Sequence, residues 1–133
     1  MAKEVKILGS YPNTLNMVEQ LKAKQKISGL PTVEEIHSIA DGDEIQLISY
    51  VHMESTDREG EPYEVLQVAA QTADTSFRFN TSSKSFMDSM IDMVENLTAE
   101  LESGKSMYFT IGKQESQNYK GKHYYTCDLS DVR

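Results

Sequence analysis

Apolar residues recur at two spacings in this sequence, and each change of spacing marks a change of element. Over 44–53 they alternate: Ile45, Leu47, Val51 and Met53 fall on one side with Ser49, while Gln46, Ile48, Tyr50 and His52 fall on the other. A period of two predicts a half-buried strand. A second strand is expected over 63–71, apolar on both sides in places as a central strand is, and a third over 75–80, with Phe77 and Phe79 opposite Arg78. Turn residues separate them: Asp41-Gly42-Asp43, a charged loop with Gly60 over 54–62, and 72–74. The spacing then lengthens. Phe86, Met90, Val94, Leu97 and Leu101 recur at helical intervals, with Met87, Ile91 and Met93 widening the stripe. This predicts a helix over 85–102, with Ser85 as N-cap, Asp88 at N3 and Gly104 as its stop. Alternation returns over 107–111 and 123–129, two runs that predict a hairpin across a polar loop containing Asn118 and Gly121.

Ahead of this set, 3–8 reads as a short strand carrying Val5, Ile7 and Leu8. A helix is expected over 14–26, capped by Thr14, with an apolar stripe of Leu15, Val18 and Leu21. Lys22, Lys24 and Lys26 make its last turn basic, which suits the negative end of the helix dipole. Gly29 and Pro31 end it. Thr32 and Glu35 stand at capping-box spacing, so a short helix is expected over 33–38, although the same residues also alternate as a strand would.

Three strands, a helix and two more strands is the element order of the OB-fold, a five-stranded Greek-key barrel whose helix plugs one end. The expected fold is therefore mainly β: one domain over 1–133, with a barrel over 36–130 and a basic extension with an extra helix over 1–30. An α+β sandwich on one open sheet has the same element order.

The chain has 133 residues, enough for one core but not two. It carries no apolar run long enough to span a bilayer and no charged-then-apolar leader. Cys127 is the lone cysteine, so no intrachain disulfide is expected and a cytoplasmic location is. The net charge of −8 is unevenly spread. Residues 1–30 carry five lysines against two glutamates, 31–104 three basic groups against sixteen acidic ones, and 105–133 five basic against three acidic. An acidic middle that repels nucleic acid would leave one permitted groove between basic ends.

The chemistry that stands out lies in 105–128. Lys113, Lys120 and Lys122 are interleaved there with Tyr119 and Tyr124. Ammonium groups beside flat rings suit phosphates and stacked bases. Parity extends the set. Tyr108 is opposite Met107, Phe109 and Ile111, Tyr124 is opposite Tyr125, Cys127 and Leu129, and Arg78 is opposite Phe77 and Phe79. With Tyr50, these define an expected outer face of Tyr50, Arg78, Tyr108 and Tyr124. Outward tyrosines are also ordinary strand residues, so the weight falls on the hairpin cluster as a group.

Catalysis is not expected. His123 and Cys127 lie four apart on a strand, ~13 Å at ~3.3 Å per residue, too far for a thiolate–imidazole pair. With one cysteine and His37, His52 and His123 scattered, no zinc spacing exists. Asp41, Asp43 and Glu44 lack the longer loop of a calcium hand. No cofactor is called for.

Over 36–129 the chain resembles the small single-stranded DNA-binding proteins of protein-primed tailed phages. The likeness rests on Asp41-Gly42 leading into a strand, the acidic Gly loop over 56–61, the Phe-bearing third strand and the helix DSMIDMVENL. It continues through Lys120-Gly121, Tyr124-Tyr125 and Leu129-Ser130, and departs in 1–30, where the basic helix has no counterpart. The resemblance implies an OB-fold, sequence-independent binding of displaced single strands during replication, and the host cytoplasm as location. The partner expected is single-stranded DNA. RNA on the same face is a third and weaker alternative, since nothing legible in the chain reads the 2′-hydroxyl. Self-association is expected through the N-terminal extension or the Met-rich helix. The alternative, from a different class, is an acidic protein-interaction module or inhibitor that mimics nucleic-acid charge.

Overall fold

In the computed structural model the elements run β1 (Lys6–Tyr11), α1 (Met17–Gln25), α2 (Val33–Ile39), β2 (Ile45–Thr56), β3 (Pro62–Gln71), β4 (Ser76–Thr81), α3 (Lys84–Asn96), α4 (Thr98–Glu102), β5 (Met107–Glu115) and β6 (His123–Val132). The structure describes residues 5–14, 16–40, 42–115 and 123–133. The chain is mainly β, with an open antiparallel sheet in the order β4-β3-β2-β5-β6 and β1 added to β2. At twelve residues, β2 is long enough to serve three neighbours. One edge pairs with β3 from Gln46 to Thr56. The other is divided, with Ile45 and Gln46 pairing with β5 and the stretch from Tyr50 to Glu54 pairing with β1. Among the described residues no helix is long and apolar enough to cross a membrane.

The main core lies on one face of the sheet, under α2 and α3. Phe79, Phe86 and Phe109 run through it edge to face, with ring centroids 5.8 and 6.2 Å apart. Such pairs contribute ~0.5–1.5 kcal/mol beyond the area they bury. Met87 and Met90 are buried with them, and Met93 packs against the cluster. The methionines of α3 thus serve the core. Cys127 is buried too, and burial pushes its thiol pKa well up, as fits a small core residue rather than a nucleophile.

The single expected helix over 85–102 is broken at Leu97. Asn96 donates to the Asp92 carbonyl at 2.7 Å, and the Thr98 hydroxyl donates to the carbonyls of Val94 (3.2 Å) and Glu95 (2.8 Å). Side-chain bonds of this kind compete with the backbone ladder. Ser83, not Ser85, is the N-cap; the Ser85 hydroxyl instead donates to the Tyr125 carbonyl at 3.1 Å and ties α3 to β6.

A barrel would close by pairing β4 with β6, and the sheet is open there. The free edge of β4 is occupied by the N-terminal segment: Asn80 N–H donates to the Pro31 carbonyl at 2.9 Å, and Thr32 bridges Asn80 in parallel. The extension therefore takes the place the closing strand needs.

That extension also covers part of the second face of the sheet, at Val51, Met53 and Gln67. Helix α1 begins after Asn16, whose side chain accepts from Glu19 N–H at 2.9 Å, rather than at Thr14. It packs through Ala23 on Val51 and Met53, with Val5, Ile7 and Ile27 around them. Buried Gln67 donates its amide to the carbonyls of Ala23 (3.1 Å) and Lys26 (3.3 Å), and Asn80 donates to Lys26 O at 2.9 Å. These carbonyls lie at the C-terminal end of α1, where the helical ladder runs out, and Ala23 O also accepts from the Lys26 N–H. The stripe expected to pack does not: Val18 is 60% exposed and Leu21 49%. Leu15 lies outside the described residues.

Candidate nucleic-acid interface

Strand registry decides which expected residues meet. One row crosses five of the six strands on the outer face: Ser76, Gln71, Gln46, Tyr108 and Asp131. The next row carries Arg78, Ala69 and Ser49. On the hairpin, Gln114 opposite Tyr124 belongs to the same face. Arg78, Tyr108 and Tyr124 therefore share the outer face, as expected, with Arg78 and Tyr124 exposed and Tyr108 half-buried.

Tyr50 does not join them. It is 6% exposed and sits in the main core with Leu47. The cause is a bulge between Leu47 and Ser49, which adds one residue and reverses the parity of everything after it. Val51 and Met53 turn to the α1 side for the same reason. Lys113 is exposed but lies opposite Tyr125, on the core side of the hairpin, across the sheet from Tyr124. Tyr119, Lys120 and Lys122 lie outside the described residues, as do Asn118 and Gly121.

Gln46, Gln71 and Arg133 join this face although periodicity alone does not single them out as site residues. Gln71 donates its amide to the Gln46 side-chain carbonyl at 2.8 Å, and Gln46 donates to the Ser106 hydroxyl at 3.0 Å. Arg133 lies over the Tyr108 ring, 3.9 Å from its centroid. Its guanidinium donates to Glu44 at 2.5 Å and Asp131 at 2.7 Å, and the Ser130 hydroxyl donates to Glu44 at 2.6 Å. Two backbone bonds between Arg133 and Ser106 fix this clasp to the start of β5. Gln46 and Tyr108 had matching outward parity in the sequence, but nothing local linked them to the chain terminus. Beside the row lies a hollow of about 900 Å³, walled by the β3–β4 turn and edged by Asp43, Glu44 and Asp74. Further along β5, Gly112 leaves room for the Thr126–Asp128 side-chain bond; a Cβ there would lie 2.4 Å from the Thr126 hydroxyl.

The clasp sets a pH dependence. Bonds from Arg133, then from Ser130, hold the Glu44 carboxyl below its ordinary pKa. Arg133 and the Val132 N–H do the same for Asp131. A lowered folded-state pKa means stabilisation that is complete above the ordinary carboxylate range, about 4, and lost as pH falls below it. In an NMR titration the Glu44 side-chain midpoint is expected to rise in Arg133→Ala; an unchanged midpoint would remove the clasp as its cause.

A second hollow, about 530 Å³, opens between β1 and the α3–α4 turn on the core side. Tyr11 and Tyr50 face each other in it, with ring centroids 6.2 Å apart. Burial raises the pKa of both, so they stay neutral at physiological pH. Among the described residues no three His, Cys, Asp or Glu side chains converge to hold a metal ion. Set against known proteins, the chain matches no family model, no curated protein and no solved structure.

Proposed function

We propose that the protein binds single-stranded DNA without sequence preference, along the outer face of the sheet from Arg78 past Tyr108 to Tyr124. The observation that carries this reading is their convergence: a guanidinium and two rings, far apart in sequence, emerge on one open sheet face. Rings accept any base by stacking, and a cation beside them takes a phosphate. The strand order β4-β3-β2-β5-β6 supports an OB-type architecture opened between its third and fifth barrel strands, where the N-terminal segment intervenes. On this reading the chain belongs with the phage single-strand binders it resembles, protects displaced strands in replication, performs no chemistry and works in the host cytoplasm. The carboxylates around the Gln46–Gln71 hollow, which Tyr108 also lines, bound the strand's path on that side.

Those same carboxylates favour one other reading, an acidic protein-docking surface. The two separate in a titration of intrinsic tyrosine fluorescence with oligo-dT at low and moderate salt, with duplex of equal length beside it. The chain has seven tyrosines and no tryptophan, so the rings report directly. Quenching by the single strand that weakens with salt and is much smaller with duplex is the expected result. No change at any salt would overturn the nucleic-acid reading and leave the acidic surface.

A further inference from the structure

Helix α1 presents an apolar stripe that nothing among the described residues covers. Met17 is 65% exposed and continues the line of Val18 and Leu21. At 100° per residue, Leu21 lies about 160° round the helix from Ala23, the residue that packs on the sheet. The stripe thus points directly away from the fold. Lys22 and Lys24 flank it, one on each side.

The hollow beside Tyr11 and Tyr50 is the complementary shape. Leu8, Ile91, Val94 and Leu101 line it, and Glu95 and Glu102 stand on its rim. Leu8 is 40% exposed there. The two surfaces lie on opposite faces of β2, because Tyr50 points to the hollow and its neighbour Val51 to α1. A helix anchored at its C-terminus by Gln67 and Asn80 cannot reach its own groove.

We infer that α1 of one copy docks in the α3–α4 groove of a second copy, apolar stripe to apolar wall and lysines to glutamates. A helix in an apolar groove is a recurring recognition mode. The contact is heterologous, each copy using a different surface, so it leaves a free helix at one end and a free groove at the other. Assembly therefore proceeds head to tail, into chains or a ring. This does not rest on nucleic-acid binding and is measured without it.

The test is sedimentation velocity of the full chain over a concentration series, in low salt and without nucleic acid. Wild type is expected to gain mass with concentration, and Leu21→Glu to stay monomeric. Two charge-reversed variants then examine the pairing. Lys22→Glu with Lys24→Glu, and Glu95→Lys with Glu102→Lys, are each expected to weaken association by roughly tenfold or more through like-charge contact. Lys22, Glu95 and Glu102 are exposed and Lys24 is half-buried, so none of the four is a core position. Mixed in equal amounts, the two variants are expected to associate again, because each supplies the surface that the other matches. A monomeric wild type, a Leu21→Glu variant that associates as wild type does, or a mixture that stays monomeric would each overturn the inference.

Discussion

Replacing Phe86 with alanine is expected to lower the free energy of unfolding by about 3–5 kcal/mol, the usual loss for a buried Phe truncated to Ala. Phe86 is fully buried between Phe79 and Phe109, so truncation opens a cavity and removes both edge-to-face contacts. Domains have only about 5–15 kcal/mol in total, so the urea midpoint should fall steeply. Phe86→Leu keeps much of the volume and should lose less. A Phe86→Ala loss under 1 kcal/mol would mean that the three rings do not form the centre of the core.

The second large effect concerns binding. Tyr108→Ala is expected to weaken oligo-dT affinity by ~1–3 kcal/mol, the contribution of one stacked base, while Tyr108→Phe retains it. Arg78→Ala should weaken binding less at high salt than at low, and reduce the slope of log affinity against log salt by about 1. Tyr50→Phe should leave binding unchanged, because that ring lies in the core. If Tyr50→Phe weakened binding as much as Tyr108→Ala, the strand would not run along the outer face.

The contrast between Tyr50 and Tyr108 shows what the sequence could carry. The places of β2 to β6, the cap at Thr32 and the stop at Gly104, and the core roles of Phe79, Phe86, Met90 and Phe109 follow from periodicity and local stereochemistry, although β5 runs on to Glu115 and β6 to Val132, past the alternation over 107–111 and 123–129. Tyr108 was placed correctly because β5 alternates unbroken from Met107 to Glu115. Tyr50 was not, because a single inserted residue inverts a strand and leaves no compositional trace. The same limit applies to α1. Its apolar stripe looked like a packing face, yet the helix is held by Gln67 and Asn80, whose contacts span more than forty positions. Arg133 over Tyr108 is likewise a product of topology, not of spacing. The opening between β4 and β6 was beyond reach for a related reason: element order is shared by open and closed sheets, and only the seating of Pro31 and Thr32 on β4 distinguishes them.

The outer edge of β6 has no strand beside it among the described residues, and ten residues of bare edge are a template for aggregation. Two devices blunt it. The Ser85 hydroxyl occupies the Tyr125 carbonyl, and Asp128 and Asp131 set carboxylates along the rest of the strand. Two such edges meeting would bring like-charged carboxylates close together, which opposes the pairing. If copies assemble head to tail as inferred, the acidity of β6 favours that contact over edge-to-edge pairing.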